Sequence, residues 1–422
     1  MTTATDGAPR VGIEALNVHA GLARLSTRDL FEGRGLDMDR LGHLMMDARS
    51  IALPCEDPVT NAVNAAAPIV AATGEDRDRI ELILTSSESG VDYSKSIASY
   101  VHEYLGLSRH CRVMEVKQAC YAATGALQIA AGYIASGLSP GAKALVIATD
   151  VSMVDARADY AEPATGTGAA AMLVGDDPKV LALDLGAFGT YSYETMDSAR
   201  PLPDHDIADV DGSLFAYLDC LSQSFSDYCG KVAGADLRTT FDQLALHTPF
   251  AGLVKAGHRK LMREARAPAE EIEEDFTARL RPSLVYPSVV GNLCSGSVYL
   301  ALASIIDHAP YRGSARVGLF SYGSGCASEF FSGLIDEGSR AEMARMGIAA
   351  RLDARVALSF AEYAELLAEN SRCLVPVPDR KIEVERFQRF FEARPGRERL
   401  LVYRGVEGYH RRYEWVEEET NR

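Results

Sequence analysis

The sequence predicts an α/β protein built from two similar halves. Short buried-strand patterns alternate with helical patterns along the chain. In each half, a residue capable of chemistry stands where a strand pattern gives way to a helical one. The chain has 422 residues, 47% hydrophobic and 24% charged, which is typical of a globular enzyme. Residue identity between the halves is not detectable, so the predicted duplication depends on pattern alone.

The first half contains strand patterns that are short apolar runs and helical patterns with apolar residues three and four apart. The strands are predicted at 80–84, 113–116, 144–149 and 169–174, and the helices at 94–105 and 118–137. The second helix is rich in alanine and leucine and ends at Gly137. These elements favour a sheet covered by helices.

The second half repeats this order. Strands are predicted at 241–246 and 316–321, a basic helix at 254–266, and an apolar helix after the segment VVGNLCSG. Residues 322–335 are predicted to form a loop, and 263–281 an exposed, charge-rich helix and connection. The charged tail from residue 382 alternates as a strand hairpin would, with a turn at Glu407-Gly408, and its charges are expected to be solvated.

Composition excludes several classes of protein. A formal charge of −16 argues against a nucleic-acid-binding surface, which would be basic. No apolar run reaches the roughly 20 residues needed to cross a bilayer, and residues 1–10 lack the apolar core of a signal peptide. We therefore expect a cytoplasmic protein without membrane contact. The eight cysteines show neither a C-x-x-C pair nor a disulfide framework, and most are expected to be small buried residues.

Cys120 and Glu88 are the candidates for chemistry in the first half. Cys120 stands where a strand ends and a helix begins, and the helix N-terminus favours a thiolate there. Its alternative is a small buried core residue. Glu88, in the segment TSSESGVDYSKS, follows a buried strand and can exchange protons if it faces a cleft. Local sequence alone favours the alternative, an exposed loop carboxylate.

His247, Asn292 and the loop 322–325 are the candidates in the second half. His247 directly follows a buried strand and is placed for acid–base work, although a turn histidine bonded to backbone is the alternative. Asn292 can stabilise an oxyanion, cap the following helix, or do both. The loop, Tyr-Gly-Ser-Gly, offers backbone N–H groups to an oxyanion, which is a weak signal by itself.

The order of these candidates resembles the hydroxymethylglutaryl-CoA synthase family of the thiolase-like superfamily. The resemblance extends from about residue 12 to residue 333 and is weaker in the charged tail. The segments that carry it are SESGVDYSKS, KQACYAATGAL, LALHTPFAGLVK, VVGNLCSGSVYLAL and LFSYGSGCASEFF. Cysteine, histidine and asparagine alone would also fit a third-type ketoacyl synthase, and Glu88 separates the two families.

The resemblance implies a role for each matched residue. Cys120 corresponds to the nucleophile that is acylated, Glu88 to the general acid–base, and His247 to the residue that polarises the acceptor. The residues placed in the substrate pocket are Tyr121, Thr124, Asn292 and Ser324. The implied reaction acetylates Cys120, forms an enolate that attacks the β-ketone of an acceptor thioester, and ends with hydrolysis of the Cys120 thioester. It needs no metal or redox cofactor.

The family implies substrates carried either on coenzyme A or on acyl carrier proteins. In its mevalonate-pathway members, lysines after the catalytic histidine hold the coenzyme A phosphates, and here Gly252 and Ala256 stand at those places. The carrier-protein type, which serves polyketide β-branching, is therefore the preferred interpretation. Lys255, Arg259 and Lys260 are predicted to contact the carrier or its phosphopantetheine arm, unless they are simply a solvated helix face.

The resemblance also implies the architecture and the partners. We expect a duplicated five-layer α-β-α-β-α fold, with an N-terminal half at 1–175 and a C-terminal half at 176–422 that includes the charged extension. Donor and acceptor acyl carrier proteins and a second copy of the chain are the expected partners. The alternatives are a mevalonate-pathway synthase, a third-type ketoacyl synthase, and a catalytically idle scaffold for carrier domains.

Overall fold

The structure is a computed structural model that describes residues 10–152, 161–396 and 399–416. Its strands are β1 Gly12–His19, β2 Ala23–Ser26, β3 Ala48–Ile51, β4 Ile80–Ser86, β5 Arg112–Val116, β6 Lys143–Asp150, β7 Gly168–Gly175, β8 Leu181–Ser192, β9 Ser198–Leu202, β10 His205–Ala208, β11 Gln243–Leu246, β12 Ala315–Gly323, β13 Ala327–Ile335, β14 Val356–Ala357, β15 Arg380–Lys381, β16 Leu400–Glu407 and β17 His410–Val416.

The helices lie between these strands and after them. They are α1 Thr27–Arg34, α2 Leu41–Leu44, α3 Pro58–Ala72, α4 Ile97–Tyr104, α5 Ala122–Ala135, α6 Val210–Lys231, α7 Ala251–Glu264, α8 Ala269–Asp275, α9 Val285–Val290, α10 Ser297–His308, α11 Glu337–Met346, α12 Ile348–Asp353, α13 Phe360–Asn370 and α14 Gln388–Glu392. Within the described ranges, no helix combines the length and apolarity needed to span a bilayer.

The main sheet has nine strands, and its order reveals the duplication. The order is β11-β12-β13-β8-β1-β7-β6-β4-β5, and the two halves meet where β8 pairs with β1. In the first half, β1 pairs antiparallel with β7, β7 antiparallel with β6, and β6 parallel with β4. In the second half, β8, β13, β12 and β11 pair in the same sequence of directions. Among the described residues of the second half, no strand corresponds to the edge strand β5. The predicted boundary after residue 175 falls between β7 and β8.

Helices cover both faces of each half-sheet, which gives the five predicted layers. Helix α3 packs on β1, β6 and β7, while α5 packs on β4 and β6 and α10 on β11 and β12. A hydrogen bond of 2.8 Å between the Thr124 and Tyr299 hydroxyls joins α5 to α10 in the central layer. Helix α6 covers β8 and β13 on the far side. The predicted α-β-α-β-α fold is confirmed.

The tail is anchored to the first half by a buried ion pair at the start of α3. Asp57 caps this helix by accepting from the Thr60 backbone N–H, and Pro58 occupies the first turn. The other Asp57 carboxylate oxygen accepts from the Arg411 guanidinium at 2.9 Å and from the Tyr413 hydroxyl at 2.7 Å. The hairpin of β16 and β17 is confirmed. The prediction that the charges of the tail are solvated is wrong for Arg411, because folding brings it against a buried carboxylate.

Two predictions of local structure are also wrong. Residues 327–335, predicted as part of a loop, form strand β13, because Phe330 is buried beneath α6 on one face and Phe331 is buried in the main core on the other. The charge-rich region 263–281 is not simply exposed. A π-helical turn, Phe276–Leu280, follows α8 there and buries Phe276 and Arg279, whose guanidinium pairs with Asp275. The remaining predicted strands and helices are present, with ends shifted by a few residues.

Candidate active site

A tight turn between β5 and α5 presents Cys120. The turn is a 3-10 helix, Ala119–Tyr121, which begins at Ala119 with a φ of 43°, a left-handed conformation that costs energy for any residue but glycine. Gly323, at the end of β12, packs directly on this turn. A Cβ at Gly323 would stand 2.5 Å from the Gln118 carbonyl oxygen. The second half-sheet therefore fixes the position of the turn that carries Cys120.

The thiol of Cys120 donates a hydrogen bond to Glu88 Oε1 at 2.9 Å. A hydrogen bond from Cys294 lowers the pKa of Cys120, but burial and the Glu88 carboxylate outweigh it and raise the pKa to about 12. The helix N-terminus was expected to favour a thiolate at Cys120. The structure indicates a protonated resting thiol instead, since a carboxylate is its direct partner.

Asp150 and Arg200 hold the loop that carries Glu88. Asp150, at the end of β6, accepts a hydrogen bond from the Glu88 backbone N–H at 2.8 Å and another from the Ser89 hydroxyl at 2.9 Å. The Arg200 guanidinium donates to the Glu88 carbonyl oxygen at 2.9 Å. Burial and the charge of Glu88 raise the pKa of Asp150 to about 8. Glu88 is thus fixed by backbone contacts while its carboxylate faces the thiol.

His247 lies at the end of β11, the strand that corresponds to β4 in the other half. The Tyr217 hydroxyl donates to its carbonyl oxygen at 2.8 Å, and the centroid of its ring lies 6.5 Å from that of Tyr217 and 6.4 Å from that of Tyr322. Burial lowers the pKa of His247 to about 3, so the imidazole is neutral near pH 7. Nδ1 is buried and has no hydrogen-bond partner in the described parts of the chain. A neutral ring can donate one N–H to a substrate oxygen.

Asn292 organises a second turn that resembles the turn that carries Cys120. The 3-10 helix Cys294–Gly296 precedes α10 and begins at Cys294 with a φ of 49°. Asn292 Oδ1 accepts hydrogen bonds from the Cys294 backbone N–H at 3.0 Å and from the Ser297 hydroxyl at 2.6 Å. Asn292 therefore caps this turn, which is one of the two roles left open by the sequence. The two turns contact each other, so the halves meet at Cys120 and Cys294.

Ser324 lies in the short connection between β12 and β13, beside the turn that carries Cys120. Its carbonyl oxygen accepts a hydrogen bond from Gln118 Nε2 at 3.3 Å. The backbone N–H of Gly325, expected to be available for an oxyanion, donates to Asp197 Oδ1 at 2.8 Å instead. Asp197 also accepts from the Tyr322 hydroxyl at 2.6 Å. The connection is therefore rigid, and the Gly325 N–H is committed to a protein partner.

Two protein-family models match this chain. The N-terminal model of hydroxymethylglutaryl-coenzyme A synthase matches residues 11–179, and the C-terminal model matches residues 259–376. Together they span more than half of the sequence. The chain belongs to the hydroxymethylglutaryl-CoA synthase family. The predicted family resemblance and enzyme class are confirmed.

Relatives of this synthase include both substrate types. It is 45% identical over 96% of its length to PksG of Bacillus subtilis, a polyketide-biosynthesis 3-hydroxy-3-methylglutaryl-ACP synthase, of which 99% is covered. It is 34% identical over 85% of its length to the hydroxymethylglutaryl-CoA synthase of Enterococcus faecalis, of which 92% is covered. A solved structure of the curacin-pathway HMG synthase in complex with apo donor-ACP matches with a TM-score of 0.93 and 46% identity, covering 96% of this chain and all of that one.

In this synthase, the other two predicted pocket residues form hydrogen bonds within the protein. The Tyr121 hydroxyl donates to Glu329 at 2.8 Å, away from the Cys120 thiol. Thr124 is completely buried and bonded to Tyr299. Substrate contact stays a prediction for both residues.

The predicted basic contact surface on α7 is largely neutralised within the protein. Lys255 pairs with Glu273 at 2.7 Å, and Lys260 forms an ion pair with Glu264. Arg259 is exposed on the same helix. The acidic residues that follow in α7 and α8 thus reduce the positive field that the basic pattern suggested.

Sequence reasoning about this synthase missed Asp150, Arg200 and Cys294. Asp150 carried a usable signal, since a carboxylate ended the buried strand pattern at 144–149. Cys294 and Arg200 carried none. Their partners are far away in sequence, and only the fold brings them to Cys120 and Glu88.

Proposed function

We propose that this synthase transfers an acetyl group from an acyl carrier protein to Cys120 and condenses it with a β-ketoacyl group on a second carrier protein. The product is a 3-hydroxy-3-methylglutaryl-type thioester with a free carboxylate, which introduces a β-branch into a polyketide. The observation that carries the mechanism is the 2.9 Å hydrogen bond from the Cys120 thiol to Glu88.

Acetylation of Cys120 begins from a protonated thiol. Because the thiol already donates to Glu88, its proton can pass to that carboxylate as sulfur attacks the carbonyl carbon of the donor thioester. The donor thiol leaves and takes up this proton from Glu88, which is ionised again. Glu88 thus acts as the base that activates the nucleophile.

Condensation uses the same carboxylate again. Ionised Glu88 removes an α-proton from acetyl-Cys120, and the enolate attacks the β-ketone carbon of the acceptor. The neutral His247 ring donates an N–H to the ketone oxygen as it becomes an alkoxide, and Glu88 returns the proton. Water then hydrolyses the Cys120 thioester. No step changes an oxidation state, so the proposed reaction requires no redox group.

The geometry at Gly252 supports a carrier protein over coenzyme A. A Cβ at this position would stand 1.9 Å from the His43 carbonyl oxygen, so a lysine there cannot be accommodated beside α2. The relatives agree with this preference, since the carrier-protein synthase PksG is 45% identical and the coenzyme A enzyme of E. faecalis 34% identical. The proposed carrier contact lies on α7 near Lys255, Arg259 and Lys260, where Arg259 is exposed and the two lysines would have to exchange their present glutamate partners for the carrier.

We further propose that two copies of the chain pair along β5. This strand is the edge of the nine-stranded sheet, and it leaves Val113 and Met114 exposed. Exposed apolar strand edges favour pairing with another strand. Sedimentation of the Met114→Lys variant tests this, since it should shift the protein towards the monomer.

Intact-mass analysis and peptide mapping test the proposed reaction. The protein is mixed separately with acetyl carrier protein and with acetyl-CoA, and the Cys120→Ser and Cys229→Ser variants serve as the negative and matched controls. We expect a two-carbon acyl adduct on Cys120 that forms faster from the carrier and is absent only in Cys120→Ser. Fast labelling from acetyl-CoA without any advantage for the carrier would favour the mevalonate-type reaction. No adduct from either donor would refute the enzyme mechanism.

A further inference from the structure

A second thiol faces the nucleophile. The Sγ atoms of Cys120 and Cys294 and a carboxylate oxygen of Glu88 all lie within 4.8 Å of one another. All three residues are partly exposed to solvent. The proposed reaction uses Cys120 and Glu88 and assigns nothing to Cys294.

The position of Cys294 is fixed by the turn that carries it. Asn292 Oδ1 accepts from the backbone N–H of Cys294, and the Ser297 hydroxyl accepts from the Leu293 N–H at 2.9 Å. The left-handed φ of 49° at Cys294 directs the turn towards its counterpart at Ala119–Tyr121. The two thiols are therefore held close together before any ligand arrives, which reduces the ordering cost of binding.

We propose that Cys120, Cys294 and Glu88 form a binding site for a soft divalent cation of the Zn²⁺ class, which reversibly blocks the nucleophile. Thiolates are the preferred ligands of such ions, with carboxylate as a common third ligand. Tetrahedral coordination at ordinary bond lengths separates two sulfurs by about 3.8 Å and a sulfur from an oxygen by about 3.6 Å. The observed cluster fits these separations with small side-chain movements, and water completes the coordination.

Binding exchanges protons for metal and leaves oxidation states unchanged. Each thiol releases one proton to solvent, and the two thiolates and the carboxylate bond to the ion. The bound ion occupies the sulfur lone pair that attacks the donor thioester. Metal and acetyl group are therefore mutually exclusive on Cys120; this consequence rests on the proposed function, whereas metal binding itself does not.

Cys220 and Cys326 provide an internal comparison. Their sulfurs lie 3.4 Å apart, but both residues are buried, and the contact is between α6 and the connection that precedes β13. An ion has no direct access from solvent to this pair. A Cys220→Ser variant therefore removes the rival dithiol without touching the proposed site.

Cadmium titration of the full-length protein tests the proposal, because cadmium thiolates absorb in the near ultraviolet; calorimetry with Zn²⁺ gives the affinity. We expect one ion per chain in the wild type and in Cys220→Ser. Loss of a ligand in Cys294→Ser, and in Glu88→Gln as a second variant, should weaken binding at least about tenfold. Wild-type affinity in both of these variants would overturn the site, as would an absence of binding to the wild type.

Acetylation of the metal-free protein is measured in parallel and separates this inference from the proposed function. Metal binding that depends on Cys294, in a protein that forms no acetyl adduct, supports the site and refutes the reaction. An acetyl adduct that forms at an unchanged rate in saturating Zn²⁺ would overturn the claim that the ion blocks the nucleophile.

Discussion

Replacing Glu88 with glutamine should make the Cys120 thiol more acidic, although it removes the proposed base for this thiol. The carboxylate accepts a hydrogen bond from the thiol at 2.9 Å, and its charge helps to raise the pKa of Cys120 to about 12. Removing one adjacent charge changes a pKa by about 1–3 pH units. A fall of about 2 units raises the thiolate fraction at pH 8 about 100-fold. The weaker nucleophilicity of the more acidic thiol reduces this to a roughly tenfold faster alkylation.

The assay compares the rate of alkylation by iodoacetamide with the rate of acetylation by acetyl carrier protein. Glu88→Gln should be alkylated about ten times faster than wild type at pH 8, yet acetylated more slowly, because no carboxylate takes the thiol proton. Glu329→Gln is the matched control, since Glu329 is a buried carboxyl that contacts Tyr121 and Gln128 but not the thiol. Equal alkylation rates in wild type and Glu88→Gln would refute the reasoning.

Three further predictions concern stability and substrate choice. Asp57→Asn leaves Arg411 buried without its charge partner, so urea denaturation should show a loss of about 3–5 kcal/mol; a loss below 1 kcal/mol would contradict a buried pair. Gly252→Lys should lower stability by about 1–3 kcal/mol through its clash with the His43 carbonyl and should not improve kcat/KM for acetyl-CoA; an improvement would argue against the carrier preference. His247 has a folded pKa of about 3 and an ordinary value of 6.5, so the unfolded chain binds the proton first as pH falls. The contribution of neutral His247 to the free energy of unfolding is fully present above pH 6.5 and should fall by about 2 kcal/mol between pH 8 and pH 5. Urea unfolding at these two pH values should show that His247→Gln lacks this part of the loss.

Much of the fold could be predicted because its strands are short apolar runs with clear ends. Strands β4, β6, β7 and β12 each appear in the sequence as such a run. Strand β13 did not, since its glycine-, serine- and aromatic-rich segment follows a tight turn and shows no alternation. The long helix α3 was also missed, because small apolar residues occur on all of its faces, so its apolar residues show only a weak helical period.

The sequence by itself determined the α/β class and the family, and it singled out Glu88, Cys120 and His247 as candidates, because these depend on local pattern and on residue types in a fixed order. The tertiary structure decided the protonation of Cys120, the support of Glu88 by Asp150 and Arg200, and the approach of Cys294. A pKa depends on burial and on charges within a few ångströms, and those neighbours come from positions between 32 and 174 residues away along the chain. Sequence spacing does not predict such contacts, because they form only when the two half-sheets come together in the fold.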